Sequence, residues 1–151
     1  MIIGIIGNGY VGKATSILAS SKTDVIIYDK DPDKCSHVGL LIPNLAEYCD
    51  FVFVCVPTPM NHDGSCSTLI VSKVVHELMD YGYDSERIII RSTVPVGTSR
   101  SLGTMFMPEF LTEKNWVNDF RNQDRWILGS NKRNEDLRDG VFSIFKQAHA
   151  D

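Results

Sequence analysis

Long apolar runs, an excess of basic residues and patterned cysteines are all missing from this sequence, and each absence removes a class of protein. No stretch approaches the roughly 18 apolar residues that a membrane-spanning helix needs. The leading Met1-Ile2-Ile3-Gly4-Ile5-Ile6 is apolar, but it is short, lacks a basic lead and runs straight into glycines. It does not read as a secretion signal. Basic residues do not dominate, since 15 Lys and Arg stand against 19 Asp and Glu, for a net charge of −4. Nucleic acid and anionic membrane surfaces both call for a basic face, so neither is expected as a partner. The four cysteines, Cys35, Cys49, Cys55 and Cys66, form no Cys-x-x-Cys pair and have no histidine at zinc-finger spacing. No metal is expected, and a reduced, cytoplasmic compartment fits best. Cys55 lies inside an apolar run and reads as a small core residue.

What remains is an ordinary globular composition, 43% hydrophobic and 23% charged over 151 residues. That length suits one domain and allows roughly 70% of the unfolded chain's surface to be buried. Internal repeats, low-complexity tracts and linker-like Pro/Gly/Ser runs are absent. Short apolar runs alternate with helical patterns, which predicts an α/β fold: a Rossmann-type, doubly wound, mainly parallel sheet in a single domain. The expected strands are Ile2–Ile6, Val25–Tyr28, Phe51–Val56, Arg87–Ile90 and Trp126–Leu128, with Met105-Phe106-Met107 as a further short one. They are near-continuously apolar, as strands covered by helices on both faces should be. A helix is expected from Tyr10 to Ser20 and another from Thr68 to Tyr81, capped by Ser67. Pro95 and Gly97 mark the turn into a short helix through Leu102. A last helix places Leu137, Val141, Ile144, Phe145 and Ala148 on one face. Asp29 to Asn44 is the least regular stretch.

Gly7-Asn8-Gly9-Tyr10-Val11-Gly12 is a G-x-G-x-x-G that follows a strand directly and opens an amphipathic helix. In that context Gly7 permits the tight turn, Gly9 removes a side chain where a pyrophosphate must approach, and Gly12 lets helix and strand pack closely. The second strand ends at Asp29, 22 residues after Gly7. An acid there accepts hydrogen bonds from adenosine ribose hydroxyls and repels a 2′-phosphate, which predicts NAD as cofactor. The neighbouring Lys30 is the feature that would suit NADP.

Further segments carry a family resemblance. Arg91-Ser92-Thr93-Val94-Pro95-Val96-Gly97-Thr98 resembles the S-T-V-P-V-G-T signature of the UDP-glucose/GDP-mannose 6-dehydrogenases. Met107-Pro108-Glu109-Phe110-Leu111-Thr112-Glu113 resembles their N-P-E-F-L-x-E-G, and Asp119-Phe120…Asp124-Arg125…Leu128-Gly129 the segment after it. Val56-Pro57-Thr58-Pro59 is similar to their V-x-T-P loop. The resemblance is to the family's N-terminal NAD-binding domain. It implies oxidation of a sugar C6 alcohol to a carboxylate by two hydride transfers to NAD, with a nucleotide sugar as substrate.

By that resemblance, Tyr10 and Val11 supply pyrophosphate contacts, Asp29 holds the ribose and Lys34 is the basic cofactor contact. Thr58 and Thr93 line the nicotinamide side. Glu109 handles a proton through an ordered water, and Glu113 lies near cofactor and substrate. Independently of the family, carboxylates at i and i+4 sit on one side of a turn or helix, where desolvation suits one of them to base function.

Two departures shape the expectation. The segment from Asp29 to Val56 is abbreviated, so an element of the usual sheet edge is expected to be missing. The family's thiol-bearing second half is also not found, and none of the four cysteines has its G-G-x-C context. A covalent thioester route needs a positioned thiol. The chain is therefore expected to be incomplete as a dehydrogenase, or a non-catalytic dinucleotide-binding or partner subunit derived from that family. The face beside Glu113 would be covered by the last helix or by another subunit, which predicts a homodimer or a partner complex. A β-hydroxyacid dehydrogenase would carry a G-x-x-x-K motif on a following helix, and none is found.

Overall fold

The computed structural model describes residues 1–131 and 135–149. Five parallel strands form one sheet: β1 (Ile2–Ile6), β2 (Asp24–Tyr28), β3 (Phe51–Val54), β4 (Ile88–Ile90) and β5 (Met105–Phe106), in the order β2-β1-β3-β4-β5. The chain leaves β1 to one side for β2 and returns to the other side for β3. A crevice therefore opens between the carboxyl ends of β1 and β3, the position at which doubly wound sheets bind ligands. The strand ends are aligned by backbone bonds just past them. Gly7 N–H donates to Tyr28 O, Cys55 N–H to Ile6 O, Arg91 N–H to Val54 O and Met107 N–H to Ile90 O, all at 2.8–2.9 Å.

Side chains alternate across the sheet, as the two-residue strand period requires. Ile3, Ile5, Phe51, Phe53 and Ile89 pack on one face, under α1 (Tyr10–Thr15), α5 (Trp116–Arg121) and α6 (Glu135–Ala148). Ile6, Val52, Val54, Ile88 and Ile90 pack on the other, against α2 (Ile42–Tyr48) and α3 (Leu69–Asp80). Helix α3 buries Val71, Val74, Val75 and Leu78, and α6 buries Val141, Ile144 and Phe145. Fully burying such a side chain stabilises the fold by about 1.5–3 kcal/mol. A short helix, α4 (Thr98–Leu102), follows the turn at Pro95 and Gly97.

Several sequence expectations are corrected. The first helix is α-helical only to Thr15 and tightens to a 3₁₀ turn over Ser16–Leu18. Ser67 does not cap α3; Thr68 holds that position without a side-chain bond, while Ser67 is buried and its N–H donates to Pro59 O. Trp126–Leu128 is not a strand. The sheet is met there by one antiparallel bridge between Phe106 and Gly129. Trp126 is apolar for another reason, since its ring packs 5.0 Å from Phe120 and 4.3 Å from Phe145.

The abbreviated segment after Asp29 takes a specific form. The outer edge of the sheet is β2, where a six-stranded order of this type would continue with another strand. Two side chains take up hydrogen-bonding positions along that edge instead. Ile27 N–H donates to Ser36 Oγ and Ser36 N–H to Ile27 O, both at 2.8 Å, while Asp29 N–H reaches Cys35 Sγ at 3.2 Å.

Candidate cofactor-binding site

The glycine loop is built by contact as much as by conformation. Gly7 has φ +98°, and a Cβ there would meet Cys55 O at 2.6 Å, so the turn excludes every side chain. A Cβ on Gly12 would overlap Gly7 O, which is how closely α1 lies against the loop. Gly9 differs from both. Its backbone is extended and a Cβ would meet nothing within 4 Å, so the space above it belongs to the crevice.

Asp29, half-buried at the end of β2, organises the loop. Its carboxylate accepts from Asn8 N–H at 2.7 Å and from Asp31 N–H at 3.0 Å. A carboxylate has about four acceptor positions, so two stay open to a ligand. Asn8 Nδ2 donates to Lys34 O, and Asn8 Oδ1 is buried without a partner in the same cleft. Lys34 Nζ pairs with Asp31 at 3.4 Å at the exposed rim. This cleft has a volume of about 600 Å³ and is walled by Asp29, Lys34, Ile42, Pro57 and the outward side of α3.

A second cavity of about 300 Å³ lies beside it, lined by Tyr10, Val11, Thr58, Thr93 and Glu109 among others. Gly9, Cys55, Val56 and Pro57 border both, so the two meet over the glycine that leaves open space. Ser92 shapes the second cavity from beneath, its buried hydroxyl donating to Val56 O at 2.7 Å.

Glu109 and Glu113 lie on an irregular loop after β5 rather than on a helix, and they diverge. Glu109 is half-buried and faces the second cavity, with its carboxylate accepting from Leu111 N–H at 2.8 Å. Glu113 is exposed on the turn beyond and does not line that cavity. Both act on Tyr10. Partial burial raises the Tyr10 phenol above its ordinary value, and the two carboxylates and a hydrogen bond to Glu109 raise it further. The loop is pinned by Asp119, whose carboxylate accepts from Thr112 N–H at 2.7 Å and Thr112 Oγ1 at 2.6 Å. Those bonds hold the Asp119 carboxyl below its usual range.

Sequence reasoning missed Arg91 as a site residue. It lies just past β4, is 1% exposed and lines the second cavity. Its Nη1 donates to Thr15 Oγ1 at 3.3 Å, and its guanidinium carbon lies 5.8 Å from the Phe120 ring centroid. Burial pulls the guanidinium below its ordinary value, while neighbouring Cys55 and Glu109 act in the opposite direction. The only sequence signal was an arginine directly after an apolar strand. Cys55 borders the same cavity, and burial pushes its thiol up to about 11. It is therefore a protonated core residue rather than a nucleophile.

Two cavities joined over a bare glycine, with an acid at the end of the second strand, define a dinucleotide-binding domain of the Rossmann type. Residues 40–149 match the UDP-glucose/GDP-mannose dehydrogenase family, NAD binding domain. The chain belongs to that family, and NAD is its cofactor. It is 30% identical, over 97% of its length, to an uncharacterized protein of Methanocaldococcus jannaschii, of which it covers 21%. It is 28% identical, over 97% of its length, to a putative UDP-glucose 6-dehydrogenase of Bacillus subtilis, of which it covers 43%. Among solved structures, a ternary complex of GDP-mannose dehydrogenase from Pseudomonas aeruginosa has the same fold, with a TM-score of 0.82 at 20% identity. That likeness covers 97% of this chain and 44% of the other. The chain thus spans between about a fifth and under half the length of these relatives. The family match begins beyond the glycine loop and Asp29, so the roles of those residues rest on geometry. Among the described residues no helix is long and apolar enough to cross a membrane.

Proposed function

We propose that this chain is the cofactor half of a nucleotide-sugar 6-dehydrogenase, holding NAD for hydride transfer from a sugar C6 alcohol. The observation that carries the reading is the pair of cavities meeting over Gly9. The larger takes adenosine, with the ribose hydroxyls on Asp29 and beside the unpartnered Asn8 Oδ1, and Lys34 at the rim. The pyrophosphate crosses at Gly9, against the backbone of Tyr10 and Val11 at the opening of α1, where N–H groups favour anions. The smaller cavity takes nicotinamide between Thr58 and Thr93. Bound NAD supplies a hydride-accepting ring there. Glu109 faces that compartment and holds or releases a proton through water, while Glu113 stands on the exposed side toward the sugar nucleotide.

The thiol chemistry of the complete reaction is assigned to another polypeptide segment or subunit, and a homodimer or partner complex covering the Glu113 face is part of this reading. A binding-only role is the second reading, favoured by Cys55: the thiol bordering the second cavity is held protonated. The cytoplasm is the compartment proposed for a chain with four free thiols.

Calorimetric titration with NAD and NADP tests the cofactor assignment. NAD should bind more tightly, and Asp29→Ala should weaken NAD roughly tenfold to a hundredfold while narrowing the gap to NADP. That is the loss of a charge-assisted hydrogen bond of about 1.5–3 kcal/mol. Equal affinity of the unmutated chain for both dinucleotides would remove Asp29 from the site.

A further inference from the structure

Arg91 heads the fully buried side chains by volume, and it is a cation. Its Nε and Nη2 have no hydrogen-bond partner, and neither of the ion pairs among the described residues, Lys34–Asp31 and Arg138–Glu135, involves it. A guanidinium does not escape burial by losing its proton. Removing a charge from water without a counter-ion is strongly unfavourable, and a buried apolar side chain would serve the core better. Core packing therefore does not by itself explain an arginine here, although Thr15, the Phe120 ring and the field of Glu109 offset part of its burial. Its position supplies the reason: Arg91 lines the cavity shared by Thr58, Thr93 and Glu109, and Thr15 on the helix after the glycine loop fixes its Nη1. Its charge is enclosed by Phe120, Cys55 and Thr15, where neither water nor salt screens it well.

We propose that Arg91 sets the electrostatic potential of the nicotinamide compartment, weakening the binding of oxidised NAD relative to NADH and so making the bound cofactor the stronger oxidant. This rests on the placement of nicotinamide in the second cavity. The oxidised ring is a cation; taking up a hydride, a proton with two electrons from the substrate carbon, leaves it neutral. A fixed positive charge disfavours the first form and not the second. Glu109, facing the same cavity with the opposite charge, moderates the effect. Arg91 is thus a tuning residue, acting through its field on a ring it need not touch.

The test is the ratio of dissociation constants for NAD and NADH, measured by calorimetry on the unmutated chain and on Arg91→Met, Arg91→Lys and Glu109→Gln. Arg91→Met should shift the ratio about tenfold toward NAD, the order expected for unit charges sharing one poorly screened cavity. That equals a fall of about 30 mV in the potential of the bound two-electron couple. Arg91→Lys keeps the charge and should leave the ratio within about twofold, whereas Glu109→Gln should move it several-fold toward NADH. Opposite movements from the two sites are not produced by a structural role, which weakens both forms alike. If Arg91→Met does not fold, Arg91→Gln, which also removes the charge but keeps a polar end for Thr15, should show the same shift toward NAD, and an unmoved ratio in it overturns the inference. Binding of both forms with an unmoved ratio overturns the inference alone. Binding of neither form to the unmutated chain overturns the nicotinamide placement and the inference with it.

Discussion

Three glycines in one loop perform different tasks, and substitution separates them. A valine at Gly9 enters open space: the backbone there is extended, and no atom lies within 4 Å of the added Cβ. Replacing glycine also removes freedom from the unfolded chain, worth about 0.4–1 kcal/mol in favour of the fold. Gly9→Val should therefore unfold within about 1 kcal/mol of the unmutated protein. Its methyl groups occupy the passage between the two cavities, so NAD affinity should fall at least a hundredfold, about 2.7 kcal/mol. Gly12→Ala should do the reverse first. Its Cβ overlaps Gly7 O, a backbone atom that moves only if the turn moves, and such overpacking costs about 1–3 kcal/mol. For a chain of this size each kcal/mol lowers Tm by roughly 2–4 °C, so the nucleotide-free variant should melt about 2–12 °C early. Thermal unfolding without nucleotide, followed by calorimetric titration with NAD, reads both quantities. A nucleotide-free Gly9→Val chain that melts as early as Gly12→Ala, or one that still binds NAD normally, would contradict this division of tasks.

Two further outcomes concern the cysteines. Burial pushes the Cys49 thiol up to about 12 and the Cys55 thiol up to about 11, from ordinary values near 9. Because the folded values are raised, the stability these thiols hold is complete below about pH 9 and drains as pH climbs toward 11–12. The slope should approach roughly 2.7 kcal/mol per pH unit while the unfolded chain has lost two protons that the native one keeps. Urea unfolding at stepped alkaline pH should show this, and a Cys49→Ala, Cys55→Ala chain with the same slope would refute it. The 151-residue polypeptide, given NAD with UDP-glucose or GDP-mannose, should form no uronic acid. A thioester route needs a thiol positioned at the site, and the one bordering the second cavity, Cys55, is buried. Sustained NADH formation with a uronic acid product would mean that one of its cysteines is a working nucleophile.

The parts of this fold set by local pattern were legible from residue order. Strands β1 to β4 are short apolar runs, and Gly7 to Gly12 with Asp29 constrain turn and spacing through backbone sterics. Helix α2 was not legible: it has seven residues, with Pro43 in its first turn and only Ile42 and Leu45 buried. Trp126 to Leu128 shows the opposite failure, because an apolar triplet reads as a strand although its Trp126 ring serves an aromatic cluster and its Ile127 is exposed. Glu109 was marked by its motif, yet its divergence from Glu113 depends on where Asp119 pins the loop. The burial of Arg91 is a property of packing among α1, α5 and β4, and no local pattern announces an orphaned cation.

The closing of the sheet at β2 has a consequence for how this domain tolerates change in length. Cys35 and Ser36 end the ladder with side chains, so the boundary of the sheet does not depend on the residues after them. Between Ser36 and the start of α2 lie five residues, of which His37, Val38, Gly39 and Leu41 are exposed. Residues added or removed there would change the connection and leave the hydrogen bonds of both Ile27 and Asp29 in place. This seam is where a longer chain can be spliced into the same cofactor cradle.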